Sequence, residues 1–161
     1  MKCFECGAKM EVRRENVKDK LIGLPYITLV GIEIRHCPKC GDTEAVIPRI
    51  EELHRVIAET IIKKTSRLTG DEVRFLRKCL GWSGTDFSRH FGIQRETVSR
   101  WENEREKMGP VAERLLRLAV AYWAPVEEYP VEKLDEVVQG AHKPLRLEMK
   151  AVKGGWKTKV A

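Results

Sequence analysis

No apolar run in the chain approaches the roughly 20 residues that a helix needs to cross a bilayer, which excludes an integral membrane protein built on helices. The opening MKCFECG has no apolar stretch behind its lysine, so a secretory leader is not expected and a cytoplasmic location is. Internal repeats and low-complexity tracts are missing too. Catalytic signatures are equally scarce: there is no phosphate loop, no HExxH and no Ser/His/Asp set. The four histidines, His36, His54, His90 and His142, are scattered, and an enzyme is not expected. At 161 residues the chain is too short for a large catalytic barrel, with room for one ordinary domain or two small ones.

What is present is a soluble globular balance, 42% hydrophobic and 34% charged. Thirty Lys+Arg against 24 Asp+Glu leave a net charge of +6, a mild excess that suits a polyanionic partner. Cysteine is rare but not random. Four of the five lie in two CxxC pairs, Cys3/Cys6 and Cys37/Cys40, each followed at once by glycine. A CxxC turn lets two thiolates meet one ion, and two such turns complete a tetrahedral sulfur shell. In a reducing cytosol such pairs bind metal rather than form disulfides. Four sulfurs favour one structural Zn2+, with an iron centre as the chemical alternative. His36 beside Cys37 reads as a surface residue, and Cys79 as a buried structural thiol.

Three segments differ in pattern, and an extension follows them. Residues 1–46 hold both cysteine pairs and the β-favouring run from Tyr26 to Ile34, with turns at 16–20 and 23–25, a module too small to fold without a staple. Residues 47–67 carry Ile50, Leu53, Ile57 and Ile61 at helical spacing, an amphipathic linker helix, with a core helix of either domain as the alternative. Residues 68–124 open on Thr69 with Glu72 three places on, a capping box, and a second box follows at Ser83 and Asp86. Gly81 and Gly92 stop the first two helices, a third spans about 94–103, and Gly109-Pro110 opens a fourth. A short helix is expected over 130–139. The fold class expected is therefore α+β in two small domains, a metal-stabilised β-rich module before an all-α domain of about five helices.

Residues 83–102, SGTDFSRHFGIQRETVSRWE, have helix-turn-helix spacing. A recognition helix reads bases in the major groove with its N-terminal half. Outward-facing candidates are Gln94, Arg95, Glu96, Ser99 and Arg100; Arg suits guanine, Gln adenine and Glu cytosine. Ser83 and Thr85 at a helix start, with Arg105 and Lys107 beyond the recognition helix, are candidates for backbone phosphates. The stretch from Leu68 to Tyr122 resembles the Cro/C1-type (XRE) DNA-binding domain through Thr97-Val98-Ser99-Arg100-Trp101-Glu102. It departs from that pattern at Gly84, Ser88 and Gln94.

CFECG matched by CPKCGD, ahead of such a domain, resembles the MqsA (YgiT-type) antitoxin family over residues 1–123. That resemblance implies a zinc-stabilised domain that binds an mRNA-cleaving toxin. It also implies a homodimer that binds a palindromic double-stranded operator and represses its own operon. Two other readings remain open: a zinc-ribbon regulator with no toxin, and an iron-binding redox sensor.

The apolar stripe of Val111, Leu115, Leu118 and Tyr122 exceeds what one small domain needs, so part of it is expected at a dimer seam. The extension, 125–161, ends in a basic tail. There Leu145, Leu147, Met149 and Ala151 alternate with charged residues, so 144–152 reads as an edge strand, with 153–161 mobile after Gly154-Gly155.

Overall fold

A computed structural model describes residues 1–18, 22–123, 129 and 143–160. It is a mixed α/β protein with a five-stranded sheet and five helices among the described residues. The strands are β1 (Glu11–Lys18), β2 (Ile27–His36), β3 (Thr43–Val46), β4 (Leu147–Val152) and β5 (Gly155–Val160). The helices are α1 (Ile50–Lys63), α2 (Gly70–Cys79), α3 (Gly84–Phe91), α4 (Arg95–Glu102) and α5 (Pro110–Trp123). The chain divides into two compact units, one of residues 1–19, 25–53 and 146–161, the other of residues 20–24 and 54–145. No helix among the described residues is long and apolar enough to cross a membrane.

The first unit is organised on β2. β1 runs antiparallel along one side of it. The other side is shared by β3, antiparallel over Glu33–His36, and β4, parallel over Ile27–Val30. β5 completes a hairpin with β4. Because strand side chains alternate, Ile27 and Leu29 would face away from Ile32 and Ile34 in a regular strand. A bulge opposite Asn16 resets the register, with Gly31 at φ +66° and its N–H donating to Asn16 Oδ1 at 3.0 Å. All four isoleucine and leucine side chains are therefore buried on one face, with Leu147, Met149 and Trp156.

The C-terminal tail differs from the expectation. β4 is an interior strand rather than an edge, and residues 155–160 form β5 rather than a mobile end. The hairpin is pinned from outside the sheet: Trp156 Nε1 donates to Pro48 O at 3.2 Å, and Arg49 donates to Val152 O at 2.9 Å. The chain beyond residue 68 thus includes strands as well as helices, and the expected 16–20 turn falls partly within β1. The helix expected over 130–139 lies outside the described residues.

In the second unit both capping boxes form. Thr69 accepts from Glu72 N at 3.3 Å while Glu72 accepts from Thr69 N at 2.7 Å. Ser83 and Asp86 do the same at 3.1 and 3.0 Å. Val73, Leu76, Phe87, Val98, Trp101, Leu116 and Val120 fill the core. On α5 none of the apolar stripe serves the core: Val111, Leu115, Leu118 and Tyr122 are 77%, 45%, 39% and 91% exposed. Glu113 and Arg117 are buried in their place. Arg117 donates to Ile62 O, Lys64 O and Ser66 O at 2.8, 2.6 and 2.9 Å, answering carbonyls at and just beyond the end of α1. Its fourth partner, Glu113, also accepts from Arg67 Nε at 2.5 Å and Leu68 N at 3.1 Å.

Candidate metal centre and candidate nucleic-acid interface

The two CxxCG segments fold into matching knuckles. In the first, Cys3 N donates to Ala8 O at 2.8 Å and Gly7 N to Cys3 O at 2.9 Å. In the second, Cys37 N donates to Asp42 O at 2.8 Å and Gly41 N to Cys37 O at 3.0 Å. Each turn closes on a glycine in the left-handed region, Gly7 at φ +70° and Gly41 at φ +77°, which explains the residue after each pair. β1, β2 and the short β3 bring the knuckles together.

The four Sγ atoms lie within 4.8 Å of one another, with Cys3–Cys40 at 3.6 Å and Cys6–Cys37 at 3.4 Å. All five cysteines are free, and these separations are far longer than a disulfide bond of about 2.05 Å. A tetrahedron of sulfurs about 2.3 Å from a metal has edges of about 3.8 Å, so the cluster fits one ion. Backbone hydrogen bonding from Cys40 holds the Cys37 thiol down to about 6, while the neighbouring Cys3, Cys6 and Cys40 thiols are raised, so one of the four is ready as a thiolate. Cys3, Met10 and Cys37 are buried in a small apolar cluster that Cys6 and Ala8 flank. The arrangement could hold one metal ion through four protein ligands, which would leave no open position on it.

His36 stands outside this cluster, its Nε2 3.3 Å from Glu15 Oε1 on the sheet. Cys79 is half-buried, and burial pushes its thiol up to about 12, an inert group.

α3 and α4 form the predicted pair around Gly92, a left-handed C-cap at φ +63°. Phe87 and Trp101 meet edge to face with centroids 6.4 Å apart. Val98 and Trp101 are buried, while Gln94, Arg95, Glu96, Ser99 and Arg100 are all exposed. Gln94 sits at the N-cap without a side-chain cap bond. Asn103 Nδ2 donates to Ser99 O at 2.7 Å, and Arg100 pairs with Glu106 at 3.3 Å.

Glu102, the last residue of the TVSRWE segment, has a structural task. It accepts from Arg74 Nε at 3.2 Å and Arg77 Nε at 2.5 Å, which fixes α4 on α2. Thr85, Arg105 and Lys107 are exposed, and Ser83 is engaged in its capping box. Hydrogen bonds from Ser83 hold the Asp86 carboxyl below its usual range, so α3's N-terminus already carries an anion.

No protein-family model, curated protein or solved structure matches this chain.

Proposed function

We propose that the protein is a sequence-specific DNA-binding repressor that carries one structural metal. The observation that carries this reading is α4: one face is sealed into the core by Val98 and Trp101, and the opposite face presents Arg95, Glu96, Ser99 and Arg100 to solvent. A short helix clamped through Glu102 and projecting such a row has what a major-groove reader requires. Selection from random duplex DNA should enrich a two-fold symmetric site. Arg95→Ala or Arg100→Ala should each cost about 1–3 kcal/mol on that site and relax preference at one base per half-site. Lys107→Ala should instead weaken all duplexes evenly and flatten the salt dependence. Equal losses on selected and random DNA for the two arginine variants would reduce them to phosphate contacts.

Homodimerisation belongs to the same reading. α5 leaves Val111, Leu115, Leu118 and Tyr122 uncovered, a contiguous apolar stripe of the kind that marks an interface. Two copies joined there would present two recognition helices to a palindrome. Leu115→Glu with Leu118→Glu should give a monomer by sedimentation at micromolar concentration, folded normally and weakened on the operator. A wild-type protein that is monomeric under those conditions counts against the seam.

The toxin partner rests on the resemblance of CFECG, CPKCGD and TVSRWE to the MqsA pattern. Under it, the domain with four cysteines masks an mRNA-cleaving toxin, and zinc is the metal. One zinc per chain in colourless protein and a ribonuclease encoded in the adjacent reading frame would support this. A red iron centre would favour a redox sensor.

A further inference from the structure

On the solvent face of the sheet in the first unit, β4, β5 and the paired ends of β1 and β2 present four lysines around one carboxylate, Glu148. Residues opposite each other on paired strands share a face. Ile27, Leu29, Leu147 and Met149 are buried on the inner face, so Thr28, Val30, Glu148 and Lys150 lie on the outer one. The β4–β5 register adds Lys157 opposite Lys150 and Lys159 opposite Glu148. The β1–β2 register adds Lys18 opposite Thr28. All four lysines are exposed. Two like charges set directly across a strand pair are destabilising unless something anionic lies over them.

The outer face also has an aromatic edge. Tyr26, 36% exposed, shares a recess of about 320 Å3 with Lys18, Thr28, Arg146 and Glu148. A shallow cationic strip beside an exposed ring is the arrangement that holds unpaired nucleic acid: lysines follow the backbone and the ring stacks a base. An acidic protein would use the charges but not the ring. A duplex, its bases already stacked, would leave the recess empty.

We infer that this face, from Tyr26, Lys18 and Arg146 to Lys150, Lys157 and Lys159, binds a single strand of nucleic acid. The recess takes one unstacked base against Tyr26, and the following phosphates lie over the hairpin lysines. Alternate residues on β5 are spaced about 6.8 Å apart, which places Lys157 and Lys159 to meet separate phosphates. The site is independent of α4 and of the reading given above.

The test is fluorescence anisotropy of a labelled oligothymidylate titrated with the full-length, metal-loaded protein at about 50 and 200 mM salt. Lys150→Glu with Lys157→Glu should weaken binding roughly tenfold or more and lower the salt slope by about 1.4. Tyr26→Ala should weaken it roughly five- to hundredfold with the slope unchanged. Circular dichroism melting checks that both variants are folded. Arg95→Ala with Arg100→Ala should leave the strand bound. Loss of binding in that variant would place the strand on α4 and overturn the inference without touching the duplex reading. An effect under twofold from either sheet variant overturns it, as does equal affinity of the Arg95→Ala with Arg100→Ala protein for a blunt duplex. Displacement by poly-glutamate of equal charge would also overturn it and assign the face to an acidic partner.

Discussion

Cys37→Ser is expected to release the metal and unfold both knuckles while leaving the second unit folded. A structural four-thiolate site concentrates binding free energy of about 10–16 kcal/mol in the segments it joins, so those segments are folded largely by the ion. Here they are residues 1–10 and 37–42, which contribute few other buried groups beyond Met10 and Ala8.

The loss should stop short of the whole N-terminal segment. Ile27–Val30 of β2 are held by β4, and β4 is held by β5, Arg49 and Pro48, none of which involves a cysteine. Hydrogen exchange should therefore show amides of the knuckles and β3 exposed, with those of Ile27–Val30 and β4 still protected. Elemental analysis should find one metal per wild-type chain and none in the variant. Knuckle amides that stay protected after chelation would refute a structural role for the metal.

Arg117→Met should destabilise the second unit by about 3–5 kcal/mol, the usual cost of removing one member of a buried ion pair. Arg117 is fully buried and serves three carbonyls and Glu113 at once. Methionine fills much of the space but leaves Ile62 O, Lys64 O and Ser66 O without that donor. Glu113 then keeps only Arg67 and Leu68 N. Arg117→Lys should recover little, because a single ammonium cannot reproduce the guanidinium fork. Urea denaturation followed by far-ultraviolet circular dichroism measures the loss. A change below about 1 kcal/mol would mean that water replaces these bonds, so the network would not hold α5 to the end of α1.

Much of this protein is legible because its signals are local. Thr69 with Glu72, and Ser83 with Asp86, are three residues apart, and the backbone geometry that joins them follows from the sequence alone. The same holds for each CxxCG turn, where two thiols and a left-handed glycine form one loop. The convergence of both pairs on one site is also legible, since four thiols at this spacing have one compact arrangement.

Tertiary structure decided the rest. The stripe on α5 shows that one face is apolar, but periodicity cannot say what covers it, and the fold covers the other face. Glu113 and Arg117, four apart on a helix, have the spacing of a surface pair. They became a buried network because the end of α1 needed donors. In the tail, apolar alternation and basic charge call for different surroundings. The sheet satisfies both, turning Leu147 and Met149 inward and Lys150, Lys157 and Lys159 outward. The sequence by itself determined the alternation, the caps and the two CxxCG turns, because each depends on neighbours a few residues away. Which strand β4 joins, and which helix face is buried, depends on partners distant in the chain, and only packing selects among those.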